Sequence, residues 1–96
     1  MTPFALQPAG NTLRLSLAGD ITIEHAKSLA TELKSSLRSD QTLEVDASQL
    51  NRLDAAGLQV LLACAQFAAD TTLSAASTAW TDAFARYASS DPFRLV

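Results

Sequence analysis

Leu13, Leu15 and Leu17 alternate with Arg14 and Ser16, a period of two that predicts a strand over residues 12–18 with one buried face. Residues 5–7 read as a short earlier strand, and Pro8, Gly10 and Asn11 supply a turn that would join the two as a hairpin. Gly19 and Asp20 are expected to break the second strand. The period then changes. Ala26, Leu29, Ala30, Leu33 and Leu37 fall at helical spacing, with Glu24, Lys27, Lys34 and Arg38 on the other side. This predicts an amphipathic helix over residues 23–37, capped by Thr22. Acid near its start and base near its end suit the helix dipole. After a turn at residues 39–41, Leu43 and Val45 around Glu44 predict a short strand over residues 42–46. Residues 47–53 read as a connection in which Leu50 and Leu53 tuck inward.

Asp54 stands immediately before Ala55, Ala56, Gly57 and Leu58, and is the natural N-cap of a second helix running to about residue 68. Leu58, Leu61, Leu62, Ala65 and Ala69 give that helix a wide apolar stripe, which implies deep burial. A weaker strand signal covers residues 71–75. Ser77 or Thr78 would cap a third helix, whose Trp80, Ala83, Phe84 and Tyr87 lie at i, i+3, i+4 and i+7 and read as core. Residues 89–92 end it, since Pro92 cannot easily continue a helix. Residues 93–96 read as a last edge strand. Alternation of this kind indicates an α/β domain whose parallel strands are joined by right-handed crossovers.

Composition changes this picture little. Ninety-six residues make one domain, 1–96, with no repeat or linker dividing it. Ala contributes 18 and Leu 15 of the apolar residues, against five Val and Ile together, which favours helices over extensive sheet. Seven basic residues face ten acidic ones, for a net charge of −3, and the basic residues are scattered. That removes nucleic acid and anionic membrane surfaces as expected partners. No signal peptide or stretch able to insert in a bilayer is recognised, so a soluble, cytoplasmic domain is expected. Cys64, the single cysteine, reads as a buried small hydrophobe in a reducing compartment.

Signatures of catalysis are sparse. One histidine, His25, and one cysteine leave no metal cluster to build, and the three glycines lie too far apart for a phosphate loop. Neither metal nor cofactor is therefore expected. Asp20, Asp46 and Asp54 stand at strand ends, where carboxylates can do acid–base work or bind a cation. Helix capping by Asp54 and turn closure by the other two is the simpler account. A small hydrolase using His25 with Asp20 or Asp54 is the weakest reading, because His25 is expected on the solvated side of the first helix. A small-molecule or lipid-sensing module remains a separate class, which needs an apolar pocket rimmed by polar groups.

The stretch Val45-Asp46-Ala47-Ser48-Gln49-Leu50-Asn51-Arg52-Leu53-Asp54-Ala55-Ala56-Gly57-Leu58 resembles the signature of STAS domains, the sulphate-transporter and anti-sigma-factor-antagonist family. Leu17-Ala18-Gly19-Asp20-Ile21 is similar to that family's second strand and the turn into its first helix. The resemblance implies a single-domain STAS-like α/β fold, a mixed central sheet of four to five strands packed with about three helices, the family's final helix being absent or reduced. It also implies a non-catalytic interaction module of bacterial signal transduction or transcription regulation. In the family's antagonists, a kinase-type partner phosphorylates the Ser or Thr after the Asp, placing about −2 charge at a helix N-terminus. Ala55 occupies that position here and has no hydroxyl. The docking surface implied is Asp20, Asn51, Asp54, Ala55, Ala56, Gly57 and Leu58. The partners implied are an anti-sigma factor or kinase-like ATPase, a chemotaxis kinase, or the ABC ATPase of a phospholipid-transport system. The wording of residues 54–61 leans toward the signalling versions.

Overall fold

The computed structural model describes residues 3–88 and 90–95. Five strands and three helices alternate as β1 (Phe4–Ala9), β2 (Thr12–Ile21), α1 (Ile23–Ser36), β3 (Thr42–Leu53), α2 (Ala55–Phe67), β4 (Asp70–Ala76), α3 (Thr78–Tyr87) and β5 (Arg94–Leu95). The strands lie in sequence order, with β1 antiparallel to β2 and every later pair parallel. This is the mixed sheet with three helices that the resemblance implies. The expected last strand is seen at Arg94–Leu95; Ser89 and Val96 lie outside the described residues.

Parallel strands that step steadily in one direction, joined by right-handed crossovers, put every connecting helix on the same face. Burial agrees. Leu13 and Leu15 of β2 stand in register with Leu43 and Val45 of β3, which face Thr71 and Leu73 of β4, and all of these are buried, as is Leu17. Leu29 and Leu33 of α1, Leu58 and Leu61 of α2, and Trp80, Ala83 and Phe84 of α3 close over them. At the far end Trp80 stacks on Phe84 and meets Phe93 edge-on, while its indole N–H donates to Asp91 Oδ2 at 2.9 Å. Trp80, Ala83 and Phe84 are thus core as their spacing implies. Tyr87 is not, being 43% exposed at the end of α3.

The opposite face of the sheet is uncovered. Parallel sheets are usually buried on both sides, and here the second face is polar instead. Arg14 forms an ion pair with Glu44 at 2.9 Å, and Ser16, Asp46 and Ser74 lie beside them.

Two expected boundaries move. Gly19 and Asp20 do not end β2, because Gly19 takes a left-handed conformation (φ 70°) within a bulged stretch and the strand runs on to Ile21. Residues 47–53 are not a loose connection but the second half of β3. Ser16 faces Asp46 and Ala18 faces Gln49, and later Gly19 faces Leu50 and Asp20 faces Arg52. Each shift inserts one extra residue into β3. Ala47, Leu50 and Leu53 therefore point inward at a spacing of three, and the period of two that marks a strand disappears.

Asp46 accepts from both the backbone N–H and the hydroxyl of Ser48, at 3.0 and 2.7 Å. These bonds favour the charged form and hold its carboxyl below the ordinary value of 3.8. A folded-state value below the unfolded one gives stability that is present above the unfolded pKa and is lost as pH falls through the folded pKa. Ser48→Ala should raise the Asp46 value, read by NMR titration of the carboxyl carbon. The stability difference from wild type should be present at neutral pH and vanish in acid.

Candidate functional site

The crossovers bring the C-terminal ends of β2 and β3 together with the N-termini of α1 and α2. Each junction is sealed by its own cap, and one residue joins the two. Asp54 is the N-cap of α2, and its Oδ1 accepts from the Gly57 N–H at 3.1 Å. Its Oδ2 reaches across to α1 and accepts from the Ile23 N–H at 2.8 Å. Its own N–H donates to the Ile21 carbonyl at 3.1 Å. One carboxylate thus satisfies donors at two helix N-termini, where partial positive charge favours an anion.

At the head of α1, Thr22 Oγ1 accepts from the Glu24 N–H at 3.3 Å, and the Thr22 N–H donates to His25 Nδ1 at 3.3 Å. His25 therefore fills the place usually held by Glu or Gln in a capping box. It is half-buried by that role rather than freely solvated. Ser77, ahead of α3, donates its hydroxyl to the Leu50 carbonyl at 2.6 Å, tying the third helix to the extended half of β3.

Gly57 is needed for the close approach of α2 to the strand ends. A Cβ added there would lie 2.8 Å from Ile21 Cγ2 and 2.9 Å from Leu53 Cδ1, below any ordinary contact. Both neighbours are themselves buried.

The expected docking residues divide accordingly. Asp20, Asn51 and Ala55 are exposed, and Asp54 and Ala56 are half-buried. Gly57 and Leu58 lie beneath this surface, so they shape it from within. Ile23 belongs to the surface too, being 73% exposed and bonded through its N–H to Asp54. It falls on the same helical stripe as Ala26 and Ala30, but as the first residue of α1 it is left exposed. Among the described residues no group of His, Cys, Asp or Glu is placed to hold a metal ion. Asp54 has both oxygens engaged in holding the helices, and the ring nitrogen of His25 nearest the backbone is engaged likewise.

A family model described as "Mlab, STAS domain" matches residues 4–91. The chain belongs to the STAS family. Among solved structures, this STAS domain is similar to an anti-sigma factor antagonist from Mycobacterium paratuberculosis, with a TM-score of 0.71 at 18% identity over 86% of this chain and 74% of that one. It is also similar to the anti-sigma factor antagonist SpoIIAA in its unphosphorylated form, with a TM-score of 0.74 at 15% identity over 97% of this chain and 87% of that one. At these identities the likeness is one of fold. No curated protein matches. Among the described residues, no helix of the domain is long and apolar enough to cross a membrane.

The junction makes two predictions. Asn is as good an N-cap as Asp but offers one acceptor oxygen where Asp offers two. Asp54→Asn should therefore keep the cap of α2 and lose the bond to α1, while Asp54→Ala loses both. In urea unfolding, Asp54→Ala is expected to destabilise by about 2–3 kcal/mol and Asp54→Asn by about half of that. In an open helix, Gly→Ala stabilises by about 1 kcal/mol. Gly57→Ala should destabilise instead, because overpacking costs about 1–3 kcal/mol.

Proposed function

We propose that this STAS domain is a non-catalytic regulatory module of the cytoplasm that docks a protein partner through the exposed junction of β2, β3, α1 and α2. The observation that carries the reading is the surface around Ala55. Two small residues, Ala55 and Ala56, open α2 on a frame locked by Asp54, with Ile23 standing out beside them. Small side chains allow another surface to approach the helix closely, and an exposed isoleucine at the same edge supplies apolar area to bury. The likeness to two anti-sigma factor antagonists supports a protein as the partner.

Docking in this reading does not depend on phosphorylation at the start of α2. Ala55 offers no hydroxyl there, and Asp54 already supplies the negative charge that the two helix ends favour. The partner is an ATPase of one of three kinds: an anti-sigma factor of the kinase-like type, a chemotaxis kinase, or the ATPase of an ABC transport system.

Capture from the native lysate with tagged wild-type domain, followed by mass spectrometry, tests the reading. An ATPase of one of these kinds should be retained. Ala55→Glu should reduce its recovery about tenfold or more without lowering the melting temperature, since an acid in the first helical turn suits the dipole. Ala85→Glu, on the exposed side of α3, should leave recovery unchanged. Equal recovery with Ala55→Glu would remove the junction as the docking surface.

A further inference from the structure

Helix α2 carries no charged residue between Ala55 and Phe67 and is apolar apart from Gln59 and Gln66, more apolar than a helix with one solvated side usually is. Yet only Gly57, Leu58 and Leu61 are fully buried. The side turned away from the sheet forms one wall of an open groove of about 650 Å³ between α1 and α2. Leu33 lines it from α1 and Leu37 from the C-cap that follows, and Val60, Cys64 and Phe67 line it from α2. Phe67 is 54% exposed.

The groove's polar groups are few and of one kind of charge. Gln59 is neutral, and Lys34 is the single charged residue lining it. Lys34 is exposed and makes no ion pair among the described residues, whereas the next cation on the chain, Arg38, pairs with Asp40 at 3.4 Å. Small-molecule sites are typically concave, about 300–1,000 Å³, mostly apolar, with a few polar groups that fix orientation. A protein interface would instead carry a polar rim around its apolar centre. An apolar trough with one unpaired ammonium matches a ligand with an apolar body and one anionic group.

We propose that the groove between α1 and α2 binds a free long-chain carboxylate, its acyl chain lying along Val60, Cys64 and Phe67 and its carboxylate paired with Lys34. This site is separate from the docking junction and does not depend on it. Burial of the chain removes Phe67 and Val60 from water and supplies the affinity, while the exposed ion pair selects the head group.

Cys64 gives a direct readout, because it is the one cysteine and it lines the groove, half-buried. Burial raises its thiol pKa, so labelling is slow at neutral pH and is best followed in mild alkali. The rate of maleimide labelling is measured while palmitate is added below its micellar range. The expected result is a saturable slowing at one palmitate per chain. Lys34→Glu should raise the half-saturating concentration about five- to tenfold, and hexadecanol should bind correspondingly more weakly than palmitate. Ala63→Trp, which fills the trough, should remove the effect of palmitate. Ala55→Glu should leave it intact, so the two surfaces fail or succeed separately. Circular dichroism confirms that each variant is folded.

A labelling rate indifferent to palmitate overturns the proposal. So does equal slowing by acid and alcohol with Lys34→Glu unchanged, which marks unselective apolar adsorption. So does protection that grows with protein concentration without any lipid, which marks a second copy of the chain in the groove.

Discussion

The carboxylate of Asp54 lies between the amino ends of two helices, and the junction of β2, β3, α1 and α2 is organised around that position. A parallel sheet with its helices on one face gathers helix N-termini along the C-terminal edge of its strands, where unsatisfied N–H groups and positive partial charge accumulate. Thr22, Asp54 and Ser77 stand at the three N-cap positions. Only Asp54, among the bonds described, links two helices, accepting from Gly57 in α2 and Ile23 in α1. The position of α2 on the sheet is set at the same place by Gly57, where any side chain would run into Ile21 and Leu53. A charge-assisted clamp and a close packing contact thus act within four residues of each other. The exposed Ala55 and the half-buried Ala56 sit between them.

The two faces of the sheet follow from the same crossover geometry. With all three helices on one side, the leucines of β2 and the Leu43–Val45 face of β3 are enclosed, and the other side must be tolerable to water. Arg14, Ser16, Glu44 and Asp46 meet that requirement through the Arg14–Glu44 pair and the Asp46–Ser48 bonds. Surface ion pairs are worth little to stability, about 0–1 kcal/mol. Their role here is solvation of an unusual open parallel face, not a large share of the folding energy.

The parts legible in the sequence were those where one period held without interruption. Leu13 to Leu17, the Leu29–Leu33 stripe and the Trp80–Phe84 stripe each kept one spacing, and each is core. The Asp54 N-cap was legible because its chemistry is local, acting three residues along the chain. Its bond to Ile23 spans 31 residues and leaves no trace in a linear pattern. The second half of β3 was hidden for a different reason: two inserted residues break the alternation, so a paired strand looks like a loop. Ile23 and Tyr87 both fall on apolar stripes at helical spacing, yet each is a terminal residue of its helix and is exposed. Periodicity reports which side of a helix faces inward, not how far along the helix that side stays covered.

The apolar character of α2 is the feature that burial within the chain does not account for. Thirteen residues without a charge would suit a helix enclosed between sheet and neighbours, but the sheet covers one side and α1 and α3 flank it, so the outer side stays open. The proposed docking residues Ala55 and Ala56 occupy the first turn of this helix, and the groove residues Val60, Cys64 and Phe67 occupy the rest. The helix is about 20 Å long at 1.5 Å per residue. An occupant of the groove and a partner at the junction would therefore rest on the same rigid element. Coupling between them requires that element to have two arrangements, not merely to touch both sites. Gly57 bounds what those arrangements can be. The missing side chain lets the first turn of α2 lie close against Ile21 and Leu53, and Asp54 ties that same turn to α1, so a rearrangement that kept these contacts would pivot α2 about its N-terminus.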